Sequence, residues 1–286
     1  MDTLNIKIVG LGEGGAHALE KIIRAGIGVG RADFIAVGND ENIMLVSPVR
    51  KNIFLNRDPT TIYKNIAEAL EGANLIFLVG GLGSSAARVA APTIIFWAKN
   101  FNATTVAFMC KPAILERLPR KINAEYTLDN LRGKVDTLIT LPAEKGLVFR
   151  INQPQISLAE LFDVADDIFC RGVEIFLNTF IAGKSNLSLM KWGNAFFGYG
   201  EGNSALEAIK SATKYPLLEE NDIKSADAIL IRLASGNPLQ KNSLDAAQKF
   251  IRDQMKPEAE FFSQEELILS LGEKISTSII LTRKEG

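Results

Sequence analysis

The residues best suited to chemistry in this 286-residue chain are glycines. Gly10, Gly12 and Gly15 fit the spacing G-x-G-x-x-G, with Gly14 added to the run, directly after the apolar stretch Ile6–Val9. A glycine turn between strand and helix suits phosphate. Glycines allow positive φ and close approach, and a helix start presents unpaired N–H groups to an anion. A second such stretch, LIFLVGGLGSSAARVAAP from Leu75 to Pro92, carries Gly81, Gly83, Ser84 and Ser85. Its serines suit helix capping. Arg88 follows as a positive charge for phosphates, for solvent or for a partner carboxylate. A dinucleotide-binding domain needs one such loop and an acidic residue after its second strand. Asp40, after FIAVGN, fills that second place. Two loops from separate strands better suit a nucleotide gripped along its whole phosphate chain. On these residues alone, NAD and another nucleotide both stay open.

Other polar positions are less specific. Glu116 and Arg120 stand at i,i+4, the spacing of a surface ion pair as much as of a ligand clamp. Asp166, beside Asp167, fits a solvated helix face. His17 is the only histidine, which argues against a multi-histidine metal site and against Ser–His catalysis within one chain. Cys110 and Cys170 lie far apart in apolar patterns, which suits two buried thiols rather than a disulfide.

These residues need a scaffold, and the chain supplies one. Short apolar runs at Ile6–Val9, Phe34–Val37, Leu75–Val79, Thr104–Cys110 and Val135–Leu141 alternate with helical patterns near 16–25, 60–70 and 84–99. Runs buried on both faces and separated by amphipathic helices predict a parallel α/β sheet covered on both sides. A long helical pattern, Leu158–Phe180, follows a connection at 152–157. Beyond it, runs at Ala228–Leu233 and Ile275–Leu281 and helices near 204–213 and 243–254 predict a smaller α+β domain. The expected division is 1–157 for the nucleotide-binding domain, 158–182 for a central linking helix and 183–286 for the second domain. Composition is that of a globular protein, 47% hydrophobic and 23% charged, and the net charge of −1 offers no nucleic-acid face. No apolar run reaches the ~20 residues that span a bilayer.

In number, order and spacing these motifs resemble the FtsZ/tubulin family of guanine-nucleotide-binding filament proteins, and FtsZ more than tubulin. IKIVGLGEGGAHAL resembles its first glycine loop, FIAVGND its second strand, and LIFLVGGLG…AAP sits where its signature loop lies. TVAFMCKPAILERLPRK parallels the strand followed by a Glu and an Arg that approach the nucleotide. VDTLITLPAEK resembles the next strand and loop, and LFDVADDIFCRGV the central helix. GNAFFGYGEG, YPLLEENDIKSADAILIRLASG and SLDAAQKFI follow the second domain in order.

The resemblance implies GTP or GDP as ligand, with Mg2+ as a companion ion, and head-to-tail association with itself or a related FtsZ-like protein. It implies phosphate contacts from Gly10, Gly12, Gly14, Gly15, Gly81, Gly83, Ser84, Ser85 and Arg88. Asp166 matches the aspartate that accepts from guanine, His17 stands where an asparagine reads the base, and Glu116 with Arg120 matches the ribose- and base-side pair. A cytoplasmic protein is expected, with no nucleic-acid partner, no direct membrane insertion, no secretory leader and no flexible tail for recruiting membrane anchors.

Departures from the pattern bear on catalysis. Glu13 replaces a glycine with a negative charge beside the expected phosphates, and Val89 replaces another glycine, where it is expected to crowd the site. The segment NIFLNRDPTT lacks the glycine-rich γ-phosphate loop, and IAGKSNLSLM after the central helix is shortened and holds no Asp or Glu to orient water. The expectation is a weak or inactive GTPase. The alternatives are a structural or regulatory pseudo-GTPase without nucleotide, its site filled by side chains such as Arg88, and more distantly an NAD-binding oxidoreductase.

Overall fold

The computed structural model describes residues 4–40, 48–114, 116–143, 158–181, 193–215, 218 and 222–283. Within the long helix, side chains are described for residues 166–178. The chain divides into two compact units, Met1–Lys191 and Trp192–Gly286.

The first unit runs β1 (Ile6–Leu11), α1 (Gly12–Arg24), β2 (Ala32–Gly38), β3 (Lys51–Phe54), α2 (Pro59–Leu70) and β4 (Leu75–Gly81). It continues through α3 (Ser85–Asn100), β5 (Thr104–Lys111), α4 (Leu118–Leu131), β6 (Thr137–Pro142) and α5 (Leu158–Ile181). Its strands pair in the order β3-β2-β1-β4-β5-β6, every pair parallel. Alternate residues of each strand face opposite sides. Val9, Leu11, Ile35, Val37, Ile76 and Leu78 bury one side against Ile62 and Ile66 of α2, Ala87, Ala90 and Ile94 of α3 and Leu128 of α4. On the other side Phe77 and Phe108 meet Phe176 of α5 edge-on, with ring centroids 6.4 and 5.4 Å apart. The expected doubly covered parallel sheet is the observed one.

Local chemistry sets the helix starts. Asp58 caps α2 by accepting from the Thr61 N–H at 3.0 Å, and Pro59 opens the helix where a missing N–H costs nothing. That hydrogen-bonding by Thr61 holds the Asp58 carboxyl below its ordinary pKa. Ser84 caps α3 through the Ala87 N–H at 3.0 Å.

The second unit contains β7 (Gly193–Gly202), α6 (Ala205–Thr213), α7 (Asp222–Ser225), β8 (Ala228–Ser235), α8 (Lys241–Arg252), β9 (Glu260–Leu267) and β10 (Ile275–Arg283). β10 lies antiparallel between β7 and β8, and β9 joins β8 in parallel across α8. Ile229, Ile231, Leu233, Ile279 and Leu281 bury one face against Ala208, Ile209, Ala247 and Ile251 of the helices. Among the described residues, no helix is long and apolar enough to cross a membrane.

Candidate functional site

In the first unit's strand order, β1 feeds β2 on one side and neighbours β4 on the other. Open parallel sheets leave a crevice outside the carboxyl ends of strands at such a reversal. A cavity of about 420 Å³ lies there, lined by residues at or just after the ends of β1, β4 and β5 and by two from α5.

The β1 side of the wall is Glu13, Gly14 and His17, one face of the first turns of α1. Gly12 enters the helix with φ +71°, in the left-handed region that favours glycine. Beneath this turn strand and helix touch through their backbones. A methyl group on Gly10 would lie 2.4 Å from the Gly15 carbonyl oxygen, and one on Gly15 would lie 2.8 Å from that of Val79. Gly10, Gly12 and Gly15 are thus the support of the loop, and Gly14 is its face to the cavity.

The β4 side is Gly81, Gly83 and Ser84. Gly83 passes so close to the start of α4 that a methyl group there would sit 2.8 Å from the Arg120 carbonyl oxygen. From the end of β5 and the residues after it come Cys110, Lys111, Pro112, Glu116 and Arg120. The Glu116 carboxylate accepts from the Ala113 N–H at 2.9 Å and pairs with the Arg120 guanidinium, so backbone and cation together fix it. From α5, Asp166 and Phe169 stand one turn apart in the wall. The wall therefore offers backbone N–H groups at two helix starts, a fixed carboxylate–guanidinium pair, a helix carboxylate, an imidazole and an apolar side. That is the equipment for a flat, hydrogen-bonding ligand carrying anionic groups.

Of the residues singled out in sequence, the cavity gathers Gly14, His17, Gly81, Gly83, Ser84, Glu116, Arg120 and Asp166. Ser85 stands outside, exposed, with its hydroxyl accepting from the Asn39 amide at 3.4 Å. Arg88, open in sequence to phosphates, solvent or a partner carboxylate, donates from its guanidinium to the Asn123 side chain at 2.9 Å and lies 4.8 Å from the Tyr126 ring centroid, both on α4. Val89 does not crowd the cavity either, being 52% exposed on the outer face of α3. The reason is helix phase. Once Ser84 caps α3, Ala86, Ala87, Ala90 and Ala91 form its buried face, and positions 88 and 89 point outward.

Cys110, Lys111, Pro112 and Phe169 enter the wall without having been singled out as ligand contacts. The place of the first three follows from β5 register, Gly81 lying opposite Cys110. Phe169 carried only the signal of a buried helix position. Asp40 is exposed after β2 and stands outside the lining. The shortened loop after α5 falls mostly in 182–192, outside the described residues.

Comparison with known proteins agrees with this fold. Residues 193–284 match the C-terminal domain of the FtsZ family. The chain is 30% identical to cell division protein FtsZ 1 of Thermococcus kodakarensis, across 97% of this chain and 80% of that one. It is 28% identical to FtsZ of Caulobacter vibrioides across 98% of its own length, and spans 60% of that longer protein. An FtsZ dimer structure from M. jannaschii, described as empty, superposes with a TM-score of 0.84 at 24% identity, covering 98% of this chain and 88% of that one. The chain belongs to the FtsZ family, within the FtsZ/tubulin fold.

Proposed function

We propose that this protein binds a guanine nucleotide, GDP or GTP, in the cavity at the ends of β1, β4 and β5. It associates head to tail with copies of itself or with a related FtsZ-like protein, and it turns GTP over slowly or not at all. The observation carrying this is the meeting of Asp166, His17, the Glu116–Arg120 pair and the two glycine loops around one 420 Å³ space. Asp166 suits guanine because a carboxylate accepts from adjacent ring and exocyclic N–H groups, which adenine does not offer in that pattern. Membership of the FtsZ family supports both the nucleotide and the self-association.

Slow turnover rests on residue type. Phosphoryl transfer to water needs an acceptor that orients the nucleophile. The segment from Ile181 to Met190 contains no Asp or Glu, and Lys184 is its only charge. The rival account, a pseudo-GTPase whose site is filled by side chains such as Arg88, draws no support from Arg88 itself, whose guanidinium bonds Asn123 on α4. Calorimetric titration with GDP, GTP and NAD tests the proposal. Saturable GDP and GTP binding without NAD binding is the expected result; NAD binding without a guanine response would restore the dehydrogenase.

A further inference from the structure

We infer that the outer face of α2, α3 and α4 docks on an anionic lipid surface, resting among the headgroups without spanning the bilayer. The three helices cover one side of the first unit's sheet, and α3 packs between the other two. A surface helix normally turns its polar residues outward. α4 is apolar on both sides. Ala124, Leu128 and Leu131 are buried, while Leu118, Ile122 and Tyr126, spaced four residues apart, are 68%, 55% and 46% exposed. Val89 and Phe96 of α3 and Tyr63 of α2 are exposed as well. Six of the ten large apolar side chains exposed among the described residues therefore stand on this one layer. They are also joined. The rings of Phe96 and Tyr63 lie 5.8 Å apart, both against Trp97, and Arg88 of α3 reaches the Tyr126 ring. A connected apolar face of this kind marks a contact with another molecule or with a membrane.

Charge decides what it meets. α3 carries Arg88 and Lys99 and no acidic residue. Lys64 is matched by Glu68 and Arg132 by Asp129, while Glu116 and Arg120 are turned to the cavity. That leaves Arg88, Lys99, Arg117 and the half-buried Lys121 against Glu125, an excess of positive charge in a chain of net charge −1. Two copies meeting through this face would bring those cations together, which disfavours a symmetric dimer. An anionic lipid surface complements them. Apolar side chains enter the boundary between headgroups and acyl chains, and Tyr63 and Tyr126 suit the headgroup level with their hydroxyls. Each Lys or Arg near such a surface strengthens binding about fivefold. Lipid also accepts ridges from three helices without a matching shape. Among the described residues no helix is long and apolar enough to cross a membrane, so the contact is peripheral.

The test is flotation of the full chain with vesicles of phosphatidylcholine containing about one-third phosphatidylglycerol, and with phosphatidylcholine alone. Wild type is compared with F96S/I122S and with K99E. Wild type is expected to float with the anionic vesicles and to need at least about tenfold more lipid when the charge is removed or the salt is raised. F96S/I122S is expected to bind the anionic vesicles roughly tenfold more weakly or worse, having lost two buried apolar contacts. K99E is expected to bind them about fivefold more weakly or worse. Phe96, Ile122 and Lys99 stand outside the cavity wall. Melting temperature and GDP affinity are therefore expected to stay near wild type in both variants. No flotation with anionic vesicles, flotation indifferent to lipid charge, or variants that float as wild type does would each overturn the inference. A lipid-free dimer that F96S/I122S dissociates would assign the face to a second copy and overturn it too.

Discussion

Lys21 of α1 and Asp167 of α5 form an ion pair 2.8 Å long, while Asp166, one residue earlier, lines the cavity. Two adjacent carboxylates thus have separate tasks, one tying α1 to α5 and one facing the ligand space. D166A is expected to weaken guanine-nucleotide binding about ten- to hundredfold, the equivalent of one charge-assisted hydrogen bond. D167A is expected to lower stability by no more than about 1 kcal/mol, because its pair is solvent-exposed, and to leave affinity nearly unchanged. Titration and thermal melts of the two variants separate the roles.

The glycine run divides in the same way. G15A places a methyl group 2.6 Å from the Gly10 carbonyl carbon, so strand and helix must move apart. Overpacking of this kind costs about 1–3 kcal/mol or more, a fall in melting temperature of roughly 2–12 °C in a unit of this size. A methyl group on Gly14 meets nothing within 4 Å. G14A is expected to melt at or above the wild-type temperature, since alanine is the better helix residue. Its nucleotide affinity is expected to fall, because the methyl group enters the ligand space.

Arg88 gives a prediction opposite to the one its sequence context suggests. R88A removes a hydrogen bond to Asn123 and a cation–π contact with Tyr126. At exposed sites these are worth about 0.5–1.5 and 0.5–1 kcal/mol. A small loss of stability with unchanged GDP affinity is expected, read by melting and titration on the same preparation.

The two thiols differ in environment. Cys110 is half-buried in the cavity wall, whereas Cys170 is buried in α5, where burial pushes its pKa up to about 12. A thiol-specific disulfide reagent at mild pH is expected to modify Cys110 in the native protein and Cys170 only on unfolding, with guanine nucleotide slowing the first reaction. The raised Cys170 pKa also fixes a pH dependence. Its contribution to stability is complete below about pH 9, its ordinary value, and is lost progressively as pH rises toward 12. C170A is expected to flatten that alkaline decline relative to wild type.

The elements legible in sequence were those whose burial is simple. β1, β4 and β5 are buried on both faces and read as continuous apolar runs. α4 was not legible as a helix. Pro119 near its start resembles a breaker, and Ile122 and Tyr126, both exposed, blur the apolar stripe. β7 hides in a glycine-rich stretch because Gly198 and Gly200 leave room for the backbone of α6, not because the chain turns there. β9 is an edge strand whose residues alternate between intermediate and exposed, so its apolar signal is weak. At the site, motif spacing pointed to the two glycine loops, which the order of strands carries to one edge, whereas Asp166 read by itself as a solvated helix face and was singled out only through the resemblance. It did not find that Arg88 faces α4, because helix phase is set by the cap at Ser84 and by the alanines that pack beneath.

The most direct test of the central claim is to denature freshly purified protein, identify released nucleotide by chromatography, and offer stripped protein GTP with Mg2+. Release or uptake of guanine nucleotide approaching one per chain is the predicted result. Protein that releases none and takes up none, while D166A behaves identically, would contradict the account.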